Sequence, residues 1–175
     1  VPIEVDMSGE MDGKEIKEVS AGESYTCVID TEGNVYCWGE SVDSEEHLPV
    51  KIDMGGVSAV SIDVNQANAC VLDNLNKIYC WGKNFRGQLG DGTENDSSTP
   101  VEVNMSGVMK GKTIISIGTG NNFSCAMDDA GEIYCWGANT SGQCGNGMRE
   151  VLFDKGNAAK VVKKSALNGK KAVLI

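Results

Sequence analysis

The sequence holds one histidine, two arginines, three prolines and no long apolar run, and each scarcity removes a class of function. A membrane-crossing helix needs ~20 consecutive apolar residues, and none is present, so no membrane insertion is expected. His47 sits in an acidic, polar stretch beside Pro49 with no motif around it, which leaves no candidate general base and no histidine-based zinc site. Arg86 and Arg149 are too few for the arginine cluster that grips a sugar carboxylate, although Asp30-to-Trp38 superficially resembles a sialidase hairpin. The surplus of acid, net -10, opposes attraction to phosphate backbones, so nucleic acid is not an expected partner. With 41% hydrophobic residues the 175-residue chain is not disordered. Its 22 glycines against 3 prolines point to many tight turns between short strands, not to helix bundles.

Charge is unevenly spread. Residues 1–50 carry thirteen acidic groups against Lys14 and Lys17, whereas Lys155–Ile175 holds six lysines and no acid. The plain reading is a solvated acidic face and a basic tail; the other is attraction between the two ends of neighbouring chains. No signal-peptide pattern opens the chain, so it reads as processed or as excised from something longer.

What is abundant is repetition. Tyr-Cys-Trp-Gly occurs at residues 36–39, 79–82 and 134–137, and a second cysteine stands ten residues before each motif cysteine, giving Cys27/Cys37, Cys70/Cys80 and Cys125/Cys135. Upstream, Pro2-Ile3-Glu4-Val5-Asp6-Met7-Ser8-Gly9 matches Pro100-Val101-Glu102-Val103-Asn104-Met105-Ser106-Gly107, and Pro49-Val50-Lys51-Ile52-Asp53-Met54 is a middle copy. The units are placed at about 1–48, 49–99 and 100–158, with a partial fourth at 159–175, where Leu167-Asn168-Gly169-Lys170-Lys171 echoes the segment beginning at Met109.

Each cysteine pair is symmetric about Glu32, Leu75 or Ala130. That centre implies a three-residue hairpin loop whose last position needs positive φ, filled by Gly33, Asn76 and Gly131. In this register Cys27 faces Cys37 and Ile29 faces Val35 on one side of the sheet. Val28/Tyr36 and Thr26/Trp38 face the other. A sheet apolar on both faces must be covered twice, and no segment has helical periodicity to do so. The cover is therefore a neighbouring copy of the same sheet: an all-β array of propeller blades, with strands near 15–20, 25–30, 34–38 and 49–53. Opposed residues of an antiparallel pair lie about 4.5 to 5.5 Å apart at Cα, within disulfide range. Three intra-hairpin disulfides are thus expected, with buried free thiols as the alternative and zinc a poor third. Disulfides argue for an extracellular or cell-surface location. Cys144, at the position of Leu89 in the preceding unit, reads as a buried thiol, the alternative being an intermolecular bridge.

The stretch Trp81-Gly82-Lys83-Asn84-Phe85-Arg86-Gly87-Gln88-Leu89-Gly90 resembles the W-G-x-N-x-x-G-Q-L-G signature of the regulator of chromosome condensation family of repeats. It recurs at 136–145 apart from Cys144, while the first unit departs from it after Gly39. The resemblance implies about three blades, and the start of a fourth, of a seven-bladed propeller. It also implies a non-catalytic scaffold, since members include a guanine-nucleotide exchange factor, a plant ultraviolet receptor and a bacterial β-lactamase inhibitor. The paired cysteines are similar to those of secreted or surface-displayed bacterial members. The receptor's G-W-R-H-T pattern is absent, so the three tryptophans read as packing residues.

Function by this reading is binding to a protein partner, with no cofactor and no metal. The alternatives are a piece of an extracellular enzyme or a half-propeller that self-associates head to tail through its open blade edges. The carboxylates of Asp91–Asp96 read as a wet polar turn rather than a cation site. The candidate binding face comprises Tyr25, Asn68 and Phe123 at equivalent positions, Phe85 and Arg86, and Met148, Arg149 and Phe153 in the long third loop.

Overall fold

Each Cys-x9-Cys segment folds into a hairpin. The computed structural model describes residues 1–40, 48–66, 68–147, 149 and 160–162. Four strands make the first sheet: β1 (Ile16–Ala21), β2 (Tyr25–Asp30), β3 (Val35–Gly39) and β4 (Val50–Ile52). The second holds β5 (Ala59–Val64), β6 (Asn68–Asp73), β7 (Ile78–Gly82) and β8 (Ser97–Glu102). The third holds β9 (Ile114–Gly120), β10 (Phe123–Asp128), β11 (Ile133–Gly137) and β12 (Lys160–Val162). Within each sheet the strands are antiparallel neighbours in chain order, as in a propeller blade.

The hairpin turns explain the register. Gly33, Asn76 and Gly131 adopt φ of 84°, 66° and 76°. Ahead of each stands an aspartate whose Oδ1 accepts two backbone N–H groups of the turn. Asp30 takes those of Glu32 (2.9 Å) and Asn34 (2.8 Å), and Asp73 and Asp128 repeat the pattern. With the turn fixed, Cys27 lies opposite Cys37, Cys70 opposite Cys80 and Cys125 opposite Cys135. All three pairs are disulfide-bonded, with Cα atoms 4.1 Å apart.

The blades stack through unlike faces. The disulfide side of the first blade (Cys27, Ile29, Val35, Cys37) shares a core with Val71 and Trp81 of the second. The disulfide side of the second (Cys70, Leu72, Ile78, Cys80) shares one with Ala126, Tyr134 and Trp136 of the third. Inner-strand side chains fasten the same junctions. The N–H groups of Ile62 and Val64 donate to Glu18 Oε1 and Ser20 Oγ, each at 3.0 Å, and Thr119 Oγ1 donates to Asp63 at 2.7 Å.

Repeat and blade are out of phase. The Pro-Val segments at 49–52 and 100–103, which open the second and third sequence units, supply the outermost strand of the blade before. A proline is tolerated on such an edge because its missing N–H faces away from the ladder. Lys160–Val162 likewise closes the third blade against Ile133–Cys135.

Candidate binding surface

One end of the array is formed by the turns before β2, β6 and β10 and by the loops after Trp-Gly. The loop after Gly82 is organised by Asn84, which is buried. Its Oδ1 accepts the Leu89 N–H at 2.9 Å, and its Nδ2 donates to Asp91 Oδ1 and the Thr93 carbonyl at 3.2 and 3.1 Å. Asp91 accepts from the Thr93 hydroxyl at 2.8 Å. Asp96 accepts the Asn84 N–H at 2.8 Å and pairs with Lys83 at 2.9 Å, which holds its carboxyl below the usual range. Asp91 and Asp96 are thus engaged in shaping the loop. Among the described residues no group of three or more His, Cys, Asp or Glu is arranged to hold a metal ion.

Gln88 locks the tip. Its Oε1 accepts the Arg86 N–H at 2.9 Å, and its carbonyl accepts Trp136 Nε1 and Ser124 Oγ, both at 2.9 Å. Phe85 and Arg86 are left projecting: Phe85 is 52% exposed, with the Arg86 guanidinium 5.7 Å from its ring centre. The third loop repeats the scaffold, with the Cys144 N–H donating to Asn139 Oδ1 at 2.9 Å. It carries Thr140 and Ser141 where the second carries Phe85 and Arg86.

Of the residues singled out from sequence, Phe85, Arg86 and Arg149 are exposed and Phe123 is half-buried. Tyr25 and Asn68 are interior. They do share the position of Phe123, opposite Gly39, Gly82 and Gly137, but the following blade covers them. Tyr25 packs in the core between the first two blades, and burial pushes its phenol above the ordinary value. Asn68 is 0% exposed and donates to Ser124 Oγ at 3.0 Å. Neither presents a side chain to a partner. Met148, Phe153 and His47 lie outside the described residues.

The opposite, hairpin end holds a set that the sequence reading overlooked. Tyr134 Oη donates to Asp128 Oδ2 at 2.8 Å, and Lys112 Nζ lies 3.2 Å from the same oxygen. Tyr36, Asp30 and Lys14 repeat the set at 3.3 and 3.9 Å. Burial works against both carboxylates. For Asp128 it is outweighed by the Glu132 N–H, Tyr134 and Lys112, and for Asp30 by Asn34, the Glu32 N–H and Tyr36, so both lie below the usual value of 3.8. The second blade has no such lysine, because the segment between β4 and β5 is shorter, and Asp73 Oδ2 has no hydrogen-bond partner there. The visible clue was the constant spacing Lys14–Asp30–Tyr36 and Lys112–Asp128–Tyr134. A carboxylate held by so many donors is a staple, not a base.

Comparison with known proteins agrees with this architecture. A family model described as "Regulator of chromosome condensation (RCC1) repeat" matches residues 76–127, and a second model of the same description matches 16–44, 59–88 and 114–143. The chain is 34% identical over 155 residues to the X-linked retinitis pigmentosa GTPase regulator homolog of Caenorhabditis elegans, covering 88% of this chain and 7% of that protein. It is 24% identical to the E3 ubiquitin-protein ligase HERC2 of Mus musculus, covering 82% of this chain and 3% of the relative. Among solved structures, Prp20p from Saccharomyces cerevisiae, described with its binding to Gsp1p and histones, superposes with a TM-score of 0.70 at 17% identity, over 89% of this chain and 40% of that one. The chain spans less than a tenth of the length of these curated relatives.

Proposed function

The chain belongs to the regulator of chromosome condensation (RCC1) repeat family, and from that footing we propose that it is a non-catalytic, protein-binding segment of a longer propeller, secreted or displayed at the cell surface. The observation that carries the binding role is the Phe85–Arg86 pair. An aromatic ring and a guanidinium are held outside the fold by a loop whose polar groups are bonded beneath them, which is the character of an interface anchor. Arg149 and the half-buried Phe123 extend the candidate patch. That a relative such as Prp20p is described with protein partners supports the same class of role. The three cross-strand disulfides favour an oxidising compartment.

The test is quantitative capture. The immobilised chain and a Phe85→Ala/Arg86→Ala variant are exposed to the same secreted and surface-protein extract. At least one protein held by the parent should drop tenfold or more on the variant, while the variant's thermal midpoint is unchanged. Identical captured sets would contradict the assignment.

A further inference from the structure

We infer that the loop end of the array takes an extended segment of a partner protein, one that brings a carboxylate to Arg86 and, about three residues along, a basic side chain to Glu23 and Glu40. The inference rests on the binding role proposed above and adds the charge pattern of the partner.

The tip of the second loop is available to a partner because the scaffold beneath does not depend on it. Arg86 and Ser141 hold the same place. Each donates its backbone N–H to a glutamine Oε1, that of Gln88 at 2.9 Å and of Gln143 at 3.0 Å, while the N–H groups of Leu89 and Cys144 reach Asn84 and Asn139 Oδ1, both at 2.9 Å. The same framework thus forms over Thr140 and Ser141 as over Phe85 and Arg86, and the ring and guanidinium are not needed for its shape.

Arg86 is the cation that this loop presents. Lys83 and Asp96 pair with each other at 2.9 Å, and Asp91 is bonded to Asn84 and Thr93. Glu94, on the limb returning to β8, forms no ion pair with Arg86. The guanidinium lies instead beside the Phe85 ring, which steadies a planar fork suited to a carboxylate.

The first blade's end has the opposite sign. Glu40 follows Trp38-Gly39 as Lys83 follows Trp81-Gly82, and its N–H donates to the Ser24 carbonyl at 2.9 Å, which sets it next to the Glu23 turn. Both glutamates are exposed, and neither carboxylate has a partner among the described residues. No lysine or arginine occurs between Lys17 and Lys51, and Gln66 and Asn121 stand where Glu23 does in the later turns.

These ends form one continuous surface. A Cβ on Gly22 would stand 2.7 Å from the Asn65 carbonyl, so the turn before β2 abuts the turn before β6, and Asn65 Nδ2 donates to the Thr119 carbonyl of the third blade at 3.4 Å. Stacked sheets lie about 10 Å apart and an extended chain advances about 3.3 Å per residue, so a peptide crosses from one blade to the next in about three residues. Its acid belongs at Arg86 and its base at Glu23 and Glu40, because the opposite orientation sets like charges together.

The experiment selects a phage-displayed library of random dodecapeptides on three baits: the parent chain, Arg86→Glu, and Glu23→Lys/Glu40→Lys. The substituted side chains are exposed, and matching thermal midpoints show that the baits are folded. Clones from the parent should carry an acid and a base about two to four residues apart. Those from Arg86→Glu should lose the acid and keep the base, and those from Glu23→Lys/Glu40→Lys should do the reverse. Parent clones should bind either variant about tenfold or more weakly. The same charge content in all three pools, or parent clones indifferent to both variants, would overturn the inference. Either result leaves capture through Phe85 and Arg86 standing if Phe85→Ala/Arg86→Ala still loses its partner, so the two readings fail separately.

Discussion

Trp136 donates its indole N–H to the backbone carbonyl of Gln88 at 2.9 Å, and so the third blade is fastened to the loop that leaves the second. Gly90, φ +70°, lies against the same ring: a Cβ there would stand 2.7 Å from Nε1. The Gly-Gln-Leu-Gly signature is thus a seat for the next blade's tryptophan. Trp136→Phe should destabilise the chain by about 1 to 3 kcal/mol through the lost bond and the space left. Gly90→Ala should cost about the same through overpacking and the backbone conformation. Urea denaturation measures both, and parent-like midpoints would show that the seat is dispensable.

Much of this was legible beforehand because it follows from local rules. Cysteine symmetry, with Gly33, Asn76 and Gly131 at the third loop position, specified hairpin register and disulfides together. What escaped depended on contacts between blades. Asn68 reads as a polar loop residue until Ser124 of the next blade is placed beside it. The strand near 49–53 was legible as the fourth of the first blade, and only its register, Val50 opposite Cys37, has no local pattern behind it. The Lys-Asp-Tyr staples were written in plain spacing, but the purpose of that spacing appears only when β-turn and arc meet in space.

Those staples set the pH dependence. Asp30 and Asp128 titrate below 3.8 in the fold, so their contribution is present above that value and is lost as pH falls through the lowered folded value. The Lys112 ammonium is held above its usual range by Tyr134, Asp128 and Glu132, and burial pushes the Tyr134 phenol up to about 12, so their contribution is intact below pH 10 and is lost as pH climbs past the folded values. The urea midpoint plotted against pH should fall at both ends, and Asp128→Asn should flatten both limbs. Unaltered limbs in the variant would contradict this assignment.

Cys144 should be silent in the native protein. It is buried against Cys135, and burial pushes its thiol up to about 11. Iodoacetamide at pH 7.5 should leave the folded chain unlabelled. After denaturation without reductant it should add one group, at Cys144. Rapid native labelling would place this thiol at the surface.

The disulfides should open in order. Cys27, Cys37, Cys70 and Cys80 are buried, two of them in each junction core, whereas Cys125 is half-buried on the third blade's side that no described sheet covers. Graded reduction followed by alkylation should release Cys125 and Cys135 first, since exchange needs access to sulfur. Release of Cys70 and Cys80 first would mean that the second junction is not closed.

The central claim, that three like hairpins stack as blades with each cysteine pair closed inside its own hairpin, is tested most directly by mapping disulfide-linked peptides in the oxidised, non-reduced chain. The account requires Cys27–Cys37, Cys70–Cys80 and Cys125–Cys135 with Cys144 unpaired. A link between different units, such as Cys37 to Cys70, would contradict it.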